Sequence, residues 1–593
     1  MKILLLVLGL LSANLGFSKS AIINKFDRVP PKKLKQHNLK TFKNAKGTEM
    51  KSSQAYAHDD SLKEWHHLSP IDGYEGIQSH EAYEKLKLTH ENEVIVAVID
   101  SGVDVNHEDL LGKIWFNLGE IANNKIDDDK NGYVDDINGW NFIGGADGKN
   151  VYHDTLEVTR EYVRLSNLQT QLQSEGKQLS PAEQELFAEV SLKVNKKRKE
   201  AQDNADYYSE ILDEIMTAKE ILIQGGIIDL SIESLQQLVS IDQDVLDARN
   251  VYLNYLEQGA DEVSIAGAVE YFQGQLNYNY NPTFDPRSIV GDDYSNGTEK
   301  NYGNNDVIGP DASHGTHVAG IIAANRNNEI GIKGIAQNVK IMAIRAVPDG
   351  DERDKDVANA IRYAVDNGAQ VINMSFGKEY SPGKELVDAA VAYAEQKGVL
   401  LVHAAGNSAS NNDLGKNFPT DTSRDGRYES KNWIEVGAST WDSGLLIAAP
   451  FSNYGKKQVD VFAPGFQIYS TTPGNNYEAY NGTSMAAPTV SGIAALIISQ
   501  SKNLENAARG MKDLLLQTSR RYPMQIMIQP TETIQDQAEL WIELLTAENP
   551  QNPVLVIRQV TQNDPTAALF GELSVSGGIA DAYSALSAIA LEY

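Results

Sequence analysis

Residues 93–99 (EVIVAVI) form a short, almost unbroken apolar run rich in β-branched side chains. That is the pattern of a strand buried on both faces of a parallel sheet. Runs of the same kind recur at 339–346 (VKIMAIRA), 370–374 (QVINM), 399–404 (VLLVHA) and 434–438 (IEVGA). Stretches with helical spacing, 356–367 and 383–397, separate the second, third and fourth of them. Strand–helix–strand alternation predicts an α/β domain, three layers deep around a predominantly parallel sheet, over residues 65–593.

A different rhythm interrupts this domain at 154–280. Val158, Tyr162, Leu165, Leu168 and Leu172 recur every three or four residues, which marks an amphipathic helix. Ser180-Pro181-Ala182-Glu183 carries a capping residue, a proline suited to the first helical position and a glutamate to close a capping box. Its partner stretch, 207–222, stops at Gly225-Gly226, and further helical patterns cover 232–257 and 261–275. The segment is therefore expected to be an all-helical insertion. Its place between the strand carrying Asp100 and the helix carrying His314 leaves two readings, a segment that overhangs a cleft and limits the entry of folded proteins or a peripheral decoration. Residues 521–570 carry no legible pattern, and Ser576-Gly577-Gly578 leads into a last helix.

At the N-terminus, Met1-Lys2, an apolar run from Ile3 to Leu11 and small residues up to Ser20 read as a signal peptide, residues 1–20. The run is too short for a membrane anchor, which needs ~20 apolar residues. The expectation is an exported protein, in the periplasm, at the cell surface or in the medium, with no transmembrane segment. Residues 21–64 are a polar, basic leader or pro-segment.

Charge sharpens that division. Residues 1–64 hold 12 Lys and Arg against 5 Asp and Glu, a balance of +7, so the remainder carries −36 of the net −29. An acidic body argues against nucleic acid as a partner, because phosphate binding needs a basic surface. The chain has no cysteine, which excludes disulfides, thiolate metal sites and a cysteine nucleophile.

Three short segments carry the chemistry: Asp100 in VIDSG, directly after the first strand; His314 in HGTHVAG, entering an apolar helix; and Ser484 in GTSMAAP, ahead of another. A serine hydroxyl is a weak nucleophile and needs a base for its proton. Imidazole suits that role near neutral pH, and a buried carboxylate fixes its tautomer and stabilises the imidazolium. Alone, each residue is as well explained by a turn or a helix cap. Together, in the order Asp, His, Ser, the motifs resemble those of the subtilisin-like serine proteases, the subtilases. The resemblance covers roughly 65–150 and 285–520 and the closing helix.

The resemblance implies a serine endopeptidase acting on polypeptides, with Asp100 as orienting carboxylate, His314 as general acid/base and Ser484 as nucleophile. Asn407, in AAGN, would donate to the oxyanion together with the Ser484 N–H. Ser375-Phe376-Gly377 and Ala404-Ala405-Gly406 would wall the pocket for the side chain preceding the scissile bond and pair with an extended peptide. Asn417 would form and narrow its base. Calcium is the implied cofactor: Asp109 matches the family's carboxylate ligand, and Asn328 lies in a stretch like its calcium loop, here one residue longer. Independently of the family, Asp127, Asp129, Asn131 and Asp135 alternate around Gly132 with the spacing of a calcium loop, although Asn138 stands where a bidentate glutamate would close it. A catalytically silent homologue that binds through its insertion is the alternative, and no catalytic group is missing. An esterase-type triad would place Ser first, within G-x-S-x-G, which this chain does not. Oligomeric state is not legible.

Overall fold

The computed structural model describes residues 42–43, 49–50, 60–88, 92–415, 417–444, 446–501, 508–528 and 566–590. Residues 1–20, expected to be a signal peptide, most of 21–64 and most of 521–570 lie outside them. The chain divides into two compact units: Val158–Phe284, and Leu39–Glu157 together with Asp285–Tyr593.

The first unit is helical. Helices α1 (Glu157–Ser174), α2 (Pro181–Gln224), α3 (Ile232–Gln237), α4 (Gln243–Glu257) and α5 (Glu262–Gly274) follow one another. Ser180 caps α2 through a reciprocal capping box with Glu183. Sequence periodicity breaks this stretch into a start at 180 and a partner at 207–222, but α2 runs unbroken for 44 residues, ~66 Å. The segment between lacks Gly and Pro and is rich in the helix formers Ala, Glu, Gln, Lys and Arg, with Lys199 and Asp203 paired one turn apart at 3.0 Å. Ala201, Ala205, Tyr208, Ile211, Ile215, Ala218 and Leu222 line one face of α2 and pack on Leu235, Val245, Ala248, Tyr252, Ile265 and Phe272.

The second unit holds a nine-stranded sheet. Its strands in chain order are β3 (Val94–Asp100), β4 (Gly139–Asn141), β5 (Val339–Arg345), β6 (Val371–Met374), β7 (Leu400–Ala404), β8 (Trp433–Ser439), β9 (Val461–Pro464), β12 (Arg520–Arg521) and β15 (Gly578–Ile579). The spatial order is β12-β15-β9-β8-β7-β6-β3-β5-β4, parallel throughout except at the β12–β15 edge. Hairpins β1–β2 (Phe42–Lys43, Glu49–Met50) and β10–β11 (Ile468–Thr472, Asn476–Tyr480) and the antiparallel pair β13–β14 (Gln525–Ile528, Thr566–Leu569) stand outside it.

Alternation along the strands builds the layers. Val94, Val96 and Val98 of β3 face a core completed by α6 (Ser313–Ala323) and α9 (Thr483–Ser499). Ala97 and Ile99 face a second core completed by α7 (Asp354–Asp366) and α8 (Lys384–Gln396). The five expected strands are β3 and β5 to β8, within one or two residues. The short β4 and β9 carry too few residues to show a period. The arrangement is a three-layer α/β fold with a helical insertion. Among the described residues no helix is long and apolar enough to cross a membrane.

From β3 the chain fills β4 and β5 on one side and then crosses to β6 on the other, so the strand order reverses at β3. In open parallel sheets the crevice beyond the C-terminal strand ends at such a reversal is where ligands bind.

Candidate active site

Asp100 ends β3 at this crevice. It is buried, and its Oδ1 accepts from His314 Nδ1 at 2.8 Å and from the Ser101 N–H at 2.7 Å. His314 is the second residue of α6, and its approach depends on the glycine that follows. A Cβ on Gly315 would stand 2.1 Å from the Gly102 carbonyl and 3.0 Å from Asp100 Cβ. Burial counts against a charged imidazole, but the Asp100 carboxylate outweighs it through its charge and hydrogen bond and raises the His314 pKa above its ordinary value.

Ser484 is the second residue of α9, which is buried along almost its whole length. Pro488, four residues on, has no N–H to offer the Ser484 carbonyl, and the Ser375 hydroxyl donates to it instead at 2.9 Å. In return the Ser484 hydroxyl donates to the Ser375 carbonyl at 3.1 Å. Ser375 directly follows β6, and Ile99 of β3 pairs with Met374 of β6, so Asp100 and Ser375 continue adjacent strands. His314 and Ser484 are thus held at two neighbouring strand ends, by Asp100 and Ser375, on two helices that share one core.

Asn407 follows β7. Its Oδ1 accepts from the Thr483 N–H at 2.8 Å and from the Thr483 hydroxyl at 3.0 Å. A backbone N–H can only donate, so the amide is oriented with Nδ2 turned the other way. A Cβ on Gly482 would lie 3.5 Å from both Asn407 Nδ2 and the Ser484 nitrogen. Two N–H donors therefore flank one point beside the serine, where Gly482 leaves room.

The two wall segments differ. Phe376 and Gly377 make no backbone hydrogen bond among the described residues, which leaves an edge that an extended peptide can use. Ala404 to Gly406 have no such edge, contrary to the pairing expected of them. The Ala404 carbonyl accepts from Asn417. Ala405 bonds Val436, Asn412 and Asn453, and Gly406 bonds Thr483 and Asn453. This segment can line a pocket but not add a strand. Asn417 stands between the walls, with Oδ1 2.6 Å from a Cβ position on Gly377 and 3.5 Å from one on Gly406.

Asp109 and Asn328 come together as the sequence suggested. Asp109 is fully buried and forms no ion pair with any described residue. Its Oδ1 accepts from Asn328 Nδ2 at 2.7 Å and its Oδ2 from the Ile332 N–H at 3.0 Å, while Asn328 Oδ1 is buried without a partner. A buried carboxylate beside an orphaned amide oxygen suits a hard cation.

The second acidic loop is assembled differently from its spacing. Asp127 and Asp129 converge with Glu120, which the spacing does not include because it lies before the loop begins. Asn131 belongs to the group through its donors, and its own Oδ1 accepts from the Tyr133 N–H at 2.8 Å. Asp135 does not join. Its oxygens accept the N–H groups of Asn124 and Lys125 at 3.1 and 2.9 Å, holding the preceding turn, in which Lys125 has φ +63°.

A hydrogen-bonded Asp–His pair, a serine at a helix start and N–H donors near that serine are the kinds of group a serine hydrolase uses. The Subtilase family model matches residues 91–539. The chain belongs to the subtilase family. A thermophilic serine proteinase of Bacillus sp. (strain AK1) is 46% identical over 192 residues, 32% of this chain and 44% of that protein. Thermitase of Thermoactinomyces vulgaris is 41% identical over 194 residues, 32% and 63% respectively. A solved protease structure from Pseudoalteromonas arctica is 25% identical over 48% of this chain and 78% of that one, with a TM-score of 0.35. The match thus spans about half the length of these curated relatives.

Proposed function

We propose that this chain is an exported serine endopeptidase that cleaves polypeptides through an acyl-enzyme. The observation that carries the reading is the Asp100–His314 bond of 2.8 Å, at the end of a strand adjacent to the one from which Ser375 holds Ser484, in a family of proteases. Ser484 turns its hydroxyl from the Ser375 carbonyl to His314 Nε2. Its Oγ then attacks the scissile carbonyl carbon, and the proton passes to Nε2. Asp100 holds the resulting imidazolium through Nδ1–H. Asn407 Nδ2 and the Ser484 N–H donate to the carbonyl oxygen as it becomes negative. His314 returns the proton to the leaving amine, and water repeats the sequence on the ester. Phe376 and Gly377 align the substrate backbone.

A covalent phosphonylating reagent tests this reading. Labelling is expected at Ser484 alone. Its rate should rise with pH through a midpoint above the ordinary histidine value, because the neutral ring is the base and Asp100 raises its pKa. Labelling elsewhere, or a midpoint below the ordinary value, contradicts it.

Asp109 with Asn328, and Glu120 with Asp127 and Asp129, would hold calcium, which supplies cross-links between loops and takes no part in the chemistry. Removing it with a chelator is expected to lower the melting temperature by roughly 3–6 °C, since each ion at a hundred times its dissociation constant adds about 2.7 kcal/mol against an unfolding entropy of about 1 kcal/mol/K for ~450 folded residues. Asp109→Ala removes one part of that response and Asp127→Ala another, measured by calorimetry with and without calcium. Equal melting temperatures in both buffers contradict the metal assignments.

A further inference from the structure

Beneath the pocket base lies a buried acidic residue that the mechanism does not use. Gly377 and Gly406 leave a slot between the walls, and Asn417 Oδ1 stands at its floor. A methyl group on Gly377 would collide with that oxygen, so both the slot and the access to Oδ1 depend on the missing side chain. Oδ1 accepts no hydrogen bond from any described residue. The amide nitrogen points away, donating to the Ala404 carbonyl at 3.1 Å and to Glu435 Oε1 at 3.2 Å. A carbonyl and a carboxylate only accept, so these two bonds hold the amide with its oxygen toward the slot.

Glu435 is itself fixed. It lies on β8, 5% exposed, and its Oε2 accepts from Trp433 Nε1 at 3.0 Å and from His403 Nδ1 at 2.8 Å. His403 Nε2 is buried with no partner, so the ring's one satisfied nitrogen is the one facing Glu435. Among the described residues no Lys or Arg pairs with Glu435. The acidic group that bonds its backbone N–H, Asp460, has Lys512 as its partner at 2.8 Å. The slot therefore ends in an acceptor oxygen, with a carboxylate that no lysine or arginine neutralises one hydrogen bond behind it.

We propose that this slot binds a hydrogen-bond-donating side chain at the residue preceding the scissile bond and rejects an acidic one, with Glu435 as a positioning residue acting through Asn417. A donor reaching Oδ1 completes its bonding. An apolar side chain buries that oxygen unpaired, and a carboxylate meets a fixed acceptor and the field of Glu435. The proposal rests on Ser484 being the nucleophile, since that fixes which substrate residue faces the slot.

The test uses the full chain and peptides identical except at that residue, which is Gln, Glu or Met, three side chains of similar length. Rates are expressed per site labelled by the phosphonylating reagent, so a poorly folded variant is not mistaken for a selective one. The kcat/KM for Gln is expected to exceed that for Met by about tenfold and that for Glu by about 100-fold or more. Glu435→Gln, which keeps the volume and removes the charge, should narrow the Gln-to-Glu ratio by about tenfold. Equal rates on all three peptides by an enzyme labelled at Ser484 overturn the slot while leaving the nucleophile in place. A preference that survives Glu435→Gln unchanged overturns the role of Glu435. Failure of Ser484 to label defeats the underlying function.

Discussion

Replacing Ser484 by alanine is expected to abolish peptide hydrolysis, by about 10⁶ in kcat, while the circular dichroism and melting temperature stay close to those of the parent. The magnitude is that of subtilisin, a member of the same family, and is carried over because triad members act as a unit: without a nucleophile the base has nothing to activate. The fold should persist because the helix is held by groups the substitution leaves untouched. The Ser484 carbonyl still receives the Ser375 hydroxyl, and the Thr483 N–H still reaches Asn407. Only the hydroxyl's bond to the Ser375 carbonyl is lost, at a partly exposed position where water can replace it. Cleavage of a peptide by this variant at even a hundredth of the parent rate would mean that another group is the nucleophile.

Asn407→Leu is expected to lower kcat by ~10²–10³ with little change in KM, the cost of one oxyanion donor in subtilisin. The bond in question strengthens only as the carbonyl oxygen becomes negative, so its loss is felt in the transition state and not in binding. Asn407 also has a structural duty, since its Oδ1 receives two hydrogen bonds from Thr483 at the start of α9. Asn407→Asp separates the two roles. It keeps an oxygen for Thr483 and removes the amide N–H, so it should lose at least as much activity as the leucine variant with less loss of stability. A defect confined to KM in either variant would assign Asn407 to substrate binding.

Much of the site was legible because its parts are local. Asp100, His314 and Ser484 each sit where a strand ends or a helix begins, with glycines alongside, and such junctions leave a mark over five to seven residues. The same holds for the buried strands, whose burial on both faces needs only a short apolar run rich in β-branched residues, and for the Ser180–Glu183 cap. The acidic loop shows the limit. Its spacing brought Asp127 and Asp129 to attention, but spacing along the chain does not say which way a carboxylate turns. Glu120 enters from outside the loop, and Asp135 leaves it to hold the turn at Asn124 and Lys125.

The sequence by itself determined the fold class, the family and the identity of the residues at the strand and helix ends, because each is encoded by neighbours in the chain. Only the tertiary structure decided how those residues engage one another. Whether a backbone edge is open depends on partners far away in sequence, which is why 376–377 has no backbone hydrogen bond among the described residues while 404–406 is occupied by Asn412, Asn417, Asn453 and Thr483. The polarity of the pocket floor is of the same kind. Asn417 faces the slot with oxygen and not nitrogen because Glu435, 18 positions on and two strands from β6 in the sheet, accepts its amide from behind. A hydrogen bond's direction is set by the donor–acceptor inventory on both sides of it, and that inventory is gathered only when the strands come together.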